Sequence, residues 1–142
     1  MKALLLIRHA RAGKRGEWRG DDHFRPLDER GRRQAEALAA ALRDHTVERI
    51  VSSPYIRCVQ TVEPLASARH VEVEQRPELA EGASREEALS LVGELEGMGA
   101  VLCTHGDVIE LLVGEAMRKG EARLVVSERG GLRATRAIGP QS

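Results

Sequence analysis

Aromatic side chains are nearly absent from this chain of 142 residues, which holds one Trp, one Phe and one Tyr, at Trp18, Phe24 and Tyr55. Single-stranded nucleic acid and planar cofactor rings are gripped by stacked aromatic platforms, so neither is an expected ligand. Long apolar runs are missing too. The longest near the N-terminus, Ala3–Ile7, is too short for a signal h-region and far short of the ~20 residues that span a bilayer. An excess of either charge is also lacking: 22 Lys+Arg balance 22 Asp+Glu. Nucleic-acid and membrane-surface binders carry a basic excess, so neither partner is expected. Cysteine is limited to Cys58 and Cys103. With no export signal, two free thiols in the cytoplasm are the expected state.

What is present reads as alternating strands and helices. Lys2–Arg8 is an apolar run ending in charge, the pattern of a strand buried on both faces. Residues 10–30 mix glycine and charge and read as one long loop. Residues 31–44 form the clearest helix, with Ala and Leu on one face. A short strand at Val47–Val51 meets Ser52-Ser53-Pro54, where a serine cap and Pro54 at the first position open a helix to about Ala68. Pro64 inside it should kink or end it early. A peripheral strand follows at Val71–Val73. Ser84 and Glu87 have capping-box spacing for a helix running to about Glu96. A strand at Ala100–Cys103, a helix at Asp107–Arg118 and a hairpin of Arg123–Ser127 with Leu132–Ile138 complete the chain. The expected fold is a single three-layer α/β/α domain over residues 1–142, with a mainly parallel central sheet and a C-terminal hairpin.

Polar residues follow at once where two buried strands end. Arg8-His9 comes after Leu4–Ile7, and Thr104-His105-Gly106 after Val101–Cys103. The carboxyl ends of strands form the ligand crevice of open α/β sheets. A third strand end carries Ser52–Arg57, with Arg57 in the first turn of a helix. A cation is disfavoured there by the helix dipole. An anion bound at that helix start, and matched by the guanidinium fork, resolves the conflict; a solvent-facing Arg57 is the ordinary alternative. Arg8, Arg57, His9 and His105 around one tetrahedral dianion form a set suited to phosphoryl transfer by a neutral imidazole nucleophile. Glu78 and Glu81 follow the third strand as candidate proton donors, with Glu81 beside Gly82 preferred. No carboxylate or cysteine set stands at zinc-like spacing around the histidines, so no metal and no cofactor is expected.

Four blocks of the sequence resemble a known family in its order. Leu6-Ile7-Arg8-His9-Ala10, Pro26–Ala35, Ser52–Thr61 and Val101–Ile109 are similar to the signature segments of the histidine phosphatase (phosphoglycerate mutase-like) superfamily. The size of the chain and Ala10 place the likeness nearest its small SixA-like phosphohistidine phosphatases. The resemblance implies His9 as the phosphorylated nucleophile, a phosphate pocket of Arg8, His9, Arg57, His105 and Gly106, and Glu81 as the acid. The aromatic, glycine-rich stretch that usually follows that acid is replaced by Ala83-Ser84-Arg85. A similar domain occurs behind a Nudix hydrolase in some bacteria, with a Lys- and Trp-containing loop much like Lys14–Asp22. That likeness implies Lys14, Arg15 and Arg19 on additional phosphates; a solvated loop is the other reading. The expected substrate is a phosphorylated protein or a small phosphomonoester. Little chain follows the third strand to form a lid, which favours an open site and a bulky substrate.

Overall fold

The computed structural model describes residues 3–128 and 131–138. Lys2 and the expected hairpin turn at Arg129-Gly130 lie outside the described residues. Six strands form one sheet in the order β3-β2-β4-β1-β5-β6. They are β1 (Ala3–Arg8), β2 (Arg49–Ser52), β3 (Val73–Gln75), β4 (Ala100–Thr104), β5 (Ala122–Glu128) and β6 (Gly131–Ile138). The helices are α1 (Glu29–Ala41), α2 (Ile56–Arg69), α3 (Arg85–Leu95) and α4 (Gly106–Val113). Pairings among β1, β2, β3 and β4 are parallel, while β5 runs antiparallel to both β1 and β6. The sheet is therefore mixed, with a parallel centre.

Alternation along the central strands builds the two cores. Leu5 and Ile7 of β1, with Val101 and Cys103 of β4, pack against Leu38 of α1 and Val62 and Leu65 of α2. Leu4, Leu6 and Leu102 face the other way, against Leu91 and Leu95 of α3 and Ile109 and Leu112 of α4. Each of these side chains is buried, contributing roughly 1.5–3 kcal/mol by transfer alone. The continuous apolar runs exist because both faces of each strand are covered.

Several boundaries differ from the sequence reading. Pro64 neither ends nor shortens α2, which runs unbroken to Arg69 and stops where His70 turns left-handed at φ 57°. Proline forfeits one backbone bond, and burial of Val62, Leu65 and Ala66 on the sheet holds the helix through it. Helix α2 begins at Ile56, with Tyr55 as a cap residue that makes no side-chain bond. Helix α4 ends at Gly114, which takes the left-handed conformation, so residues 114–121 form a return loop rather than helix. The third strand sits at Val73–Gln75 instead of Val71–Val73.

The segment 10–30 is ordered rather than a plain loop. It carries 3-10 turns at Arg15–Glu17 and Asp22–Phe24 and a bridge between Ala12 and Leu27. Three bonds pin it: Arg11 N–H to Gln34 Oε1 at 2.8 Å, Asp28 N–H to Arg11 O at 3.1 Å, and Leu27 N–H to Gln60 Oε1 at 2.9 Å. Gly31 allows this approach, since a Cβ there would lie 1.8 Å from Arg11 O.

Candidate active site

The parallel register brings three strand ends together. Arg8 pairs with Thr104 across β1 and β4, and Ser52 pairs with Cys103 across β2 and β4. The ladder continues one residue further, with His9 N–H on Thr104 O at 3.1 Å and Ser53 N–H on Cys103 O at 3.0 Å. His9, His105 and Ser53 thus leave neighbouring strands at one level.

His9 is buried, and its Nδ1 lies 2.8 Å from Ala10 O. A carbonyl only accepts, so Nδ1 carries the proton and the lone pair resides on Nε2. Burial is the main cause that lowers the His9 pKa to about 3; the bond to Ala10 opposes this, while His105, Arg57 and Arg8 add to it. The imidazole is therefore neutral at ordinary pH. Ala10 N–H is itself held by Thr61 Oγ1 at 2.9 Å, and that hydroxyl donates to Arg57 O at 2.7 Å. One threonine thereby ties the His9 turn to the first turns of α2.

His105 stands with its ring centroid 5.3 Å from that of His9. Its Nε2 meets Ser53 Oγ at 2.9 Å and Cys58 Sγ at 3.5 Å. When the Ser53 hydroxyl donates to Nε2, the ring proton resides on Nδ1. The serine expected to cap α2 serves His105 instead, and also accepts from Tyr55 N–H at 3.2 Å. Cys58 and Cys103 are free and fully buried.

Arg57 does not point to solvent: its side chain is 0% exposed. Nη1 donates to Asp22 O at 2.9 Å, Nη2 to Asp22 Oδ2 at 3.1 Å, and Glu81 Oε1 lies 3.5 Å from Nη2. The charge is thus matched by two carboxylates, as burial of an ion demands. Arg8 donates from Nη1 to Met117 O at 2.7 Å in the return loop after α4. A Cβ on Gly106 would come within 3.0 Å of the Arg8 guanidinium, so the glycine makes room for it at the start of α4.

These side chains enclose a cavity of about 270 Å³, lined among others by Arg8, His9, His105, Gly106 and Glu81. Arg57 does not line it; its ion-pair partner Glu81 does. Arg8 Nε, Arg57 Nε and His105 Nδ1 are buried with no hydrogen-bond partner among the described residues. Buried donors are almost always satisfied, and three of them on adjoining side chains suit the oxygens of a tetrahedral anion. Among the described residues, no group of three His, Cys, Asp or Glu side chains could hold a metal ion.

The sequence candidates separate here. Glu81 lines the cavity and accepts from Arg15 Nη2 at 2.9 Å. Glu78 is held away by Arg76 at 2.6 Å. Arg15 reaches the site, Lys14 lines an adjoining cavity, and Arg19 lines neither. Asp22 and Arg25 were not anticipated: Asp22 Oδ1 accepts from Arg25 Nε at 2.8 Å, next to Arg57. Asp22 and Arg57 are 35 positions apart, and no local pattern marks the pair. The segment 10–30 roofs Arg57, so the site expected to be open, for want of chain after the third strand, is covered on this side from before α1.

A family model described as the histidine phosphatase superfamily (branch 1) matches residues 4–86, more than half of the chain. The chain belongs to the histidine phosphatase superfamily. It is 39% identical over 117 residues to an 8-oxo-(d)GTP phosphatase of Mycolicibacterium smegmatis, a match covering 79% of this chain and 36% of that protein. The chain thus spans about a third of that relative's length. Among solved structures, the protein histidine phosphatase SixA complexed with tungstate superposes with a TM-score of 0.79 at 21% identity, covering 96% of each chain. The alpha-ribazole phosphatase from Shigella flexneri gives 0.74 at 16% identity, covering 97% of this chain and 96% of that one. At such identities the likeness is one of fold. No helix among the described residues is long and apolar enough to cross a membrane.

Proposed function

We propose that the chain is a phosphatase that passes a phosphoryl group through His9 Nε2. One observation carries this: a buried neutral imidazole, oriented by Ala10 O, beside three unpartnered donors on Arg8, Arg57 and His105. The lone pair of Nε2 attacks phosphorus, forming the N–P bond as the bond to the leaving group breaks. Arg8, Arg57, His105 and the Gly106 end of α4 stabilise charge on the equatorial oxygens, donors worth most in a site that excludes water. In its protonated form Glu81 gives a proton to the leaving atom, and the carboxylate so formed takes one from the water that next attacks the phosphohistidine. That second step breaks the N–P bond, releases phosphate and restores His9. No metal enters this scheme.

The substrate follows from the same site as a phosphomonoester or a protein phosphohistidine. A small phosphomonoester or nucleotide is favoured by the roof over Arg57 and by the name of the M. smegmatis relative. A phosphate-binding module without turnover is the rival reading. Hydrolysis of p-nitrophenyl phosphate, with chelator present, tests the proposal in wild type and His9→Ala. Chelator-insensitive turnover lost in His9→Ala is expected. Turnover surviving that substitution would overturn the mechanism, and tight vanadate binding with no turnover would leave only the binding module.

A further inference from the structure

Glu81 stands on a loop that the residues around His105 grip from both sides. Before Glu81, the buried Thr104 hydroxyl at the end of β4 donates to Leu79 O at 2.6 Å. Leu79 itself is buried in the core that includes Leu91 of α3 and Ile109 of α4. After Glu81, Asp107 Oδ2 in the first turn of α4 accepts from Gly82 N–H at 2.8 Å. Residues 80–83 form a β-turn closed by Ala83 N–H on Ala80 O at 3.0 Å, with Glu81 and Gly82 at its two central positions. Gly82 has φ 87°, the value of the third residue in a type II turn and one that favours glycine. Types I and II differ in the orientation of their central peptide, here the one joining Glu81 to Gly82. The closing bond of the turn does not use the Gly82 N–H. Asp107 takes it, and so fixes which way the Glu81–Gly82 peptide faces.

We infer that Asp107 is a positioning residue for the reaction: by accepting the Gly82 amide it sets the turn that holds the Glu81 carboxyl at the leaving group. Thr104 anchors the other end of the same loop. This role rests on the phosphatase reading above, in which Glu81 is the proton donor. Glu81 and Asp107 line one cavity, but their surroundings differ. Asp107 Oδ2 is committed to a backbone amide, whereas Glu81 Oε1 lies 2.9 Å from Arg15 and 3.5 Å from Arg57. Four consecutive residues thus divide the work. His105 and Gly106 meet the phosphate oxygens, and Thr104 and Asp107 on either side of them place the acid.

Proton donation matters most for a poor leaving group, so two aryl phosphates are compared. p-Nitrophenolate departs readily without a proton; phenolate does not. Asp107→Ala should lower kcat/KM for phenyl phosphate about tenfold or more, as misplacing a catalytic group does. For p-nitrophenyl phosphate the same variant should lose less than about threefold. Asp107 is exposed, so the fold is not at stake. Asp107→Asn keeps an oxygen that accepts from Gly82 N–H, and should bring phenyl phosphate hydrolysis back to within about threefold of wild type. Glu81→Gln should itself lose about 100-fold on phenyl phosphate, and adding Asp107→Ala to it should change little. Wild-type activity in Asp107→Ala, or equal losses on the two substrates, would overturn the inference. So would a loss in Asp107→Asn as deep as in Asp107→Ala, which would make Asp107 itself the proton donor, or a full further loss in the Glu81→Gln background. Each of these leaves turnover dependent on His9. Turnover that survives His9→Ala would instead overturn the phosphatase reading, and the role of Asp107 with it, so the two failures are distinct.

Discussion

Lowering the pH from 7 to 5 should destabilise the fold through His9. The unfolded chain takes a proton onto this imidazole as the pH falls through 6.5. In the folded chain, burial above all delays the same event to about pH 3. Between those values the unfolded state binds more protons, so the stabilising contribution is whole above pH 6.5 and is lost as the pH drops. The limiting slope is ~1.4 kcal/mol per pH unit, which gives about 2 kcal/mol between pH 7 and 5. Against a typical total of ~5–15 kcal/mol, that is a large share. The measurement is urea denaturation at both pH values for wild type and His9→Asn, which retains a donor for Ala10 O. Wild type should lose about 2 kcal/mol more than the variant, with unchanged m-values. Equal losses would show that His9 is protonated as easily in the folded chain as outside it, and so is not held neutral for attack.

Gly31→Ala should lower Tm by roughly 10 °C, because the new methyl meets the Arg11 backbone and overpacking of this kind costs about 3 kcal/mol; an unchanged melting curve would refute the contact. Gly106→Ala should reduce kcat/KM for p-nitrophenyl phosphate about tenfold or more while Tm barely moves, since Arg8 must shift although Met117 O holds it. Parallel loss of Tm and activity would mean the glycine serves the fold alone. Ser53→Ala should cost roughly tenfold in kcat/KM, the worth of one orienting hydrogen bond to His105; full activity would show that the ring is held without it.

Much of the architecture was legible because it depends on local pattern. Buried parallel strands must be apolar throughout, so Leu4–Ile7 and Ala100–Cys103 declare themselves. The capping box at Ser84 and Glu87 is present as read. Pro64 misled because propensity counts one lost bond, whereas packing of α2 on the sheet decides. The end of α4 misled for the opposite reason: residues 114–118 look helical, but the left-handed Gly114 ends the helix and directs Met117 O to Arg8.

The same division holds at the site. Strand-end position nominated His9 and His105, because ligand crevices form where parallel strands stop, and a cation in the first turn of a helix nominated Arg57. Neither could assign their partners. Ser53 looked like a helix cap until the register of β2 against β4 put its hydroxyl on His105. Asp22 looked like one charge among many until the ordered 10–30 segment laid it on Arg57. Residue types and their order determined which chemistry is available, since strand and helix periods are local properties. The tertiary structure decided which groups are dry, paired or left with free donors, because burial and charge pairing arise only between segments distant in the chain.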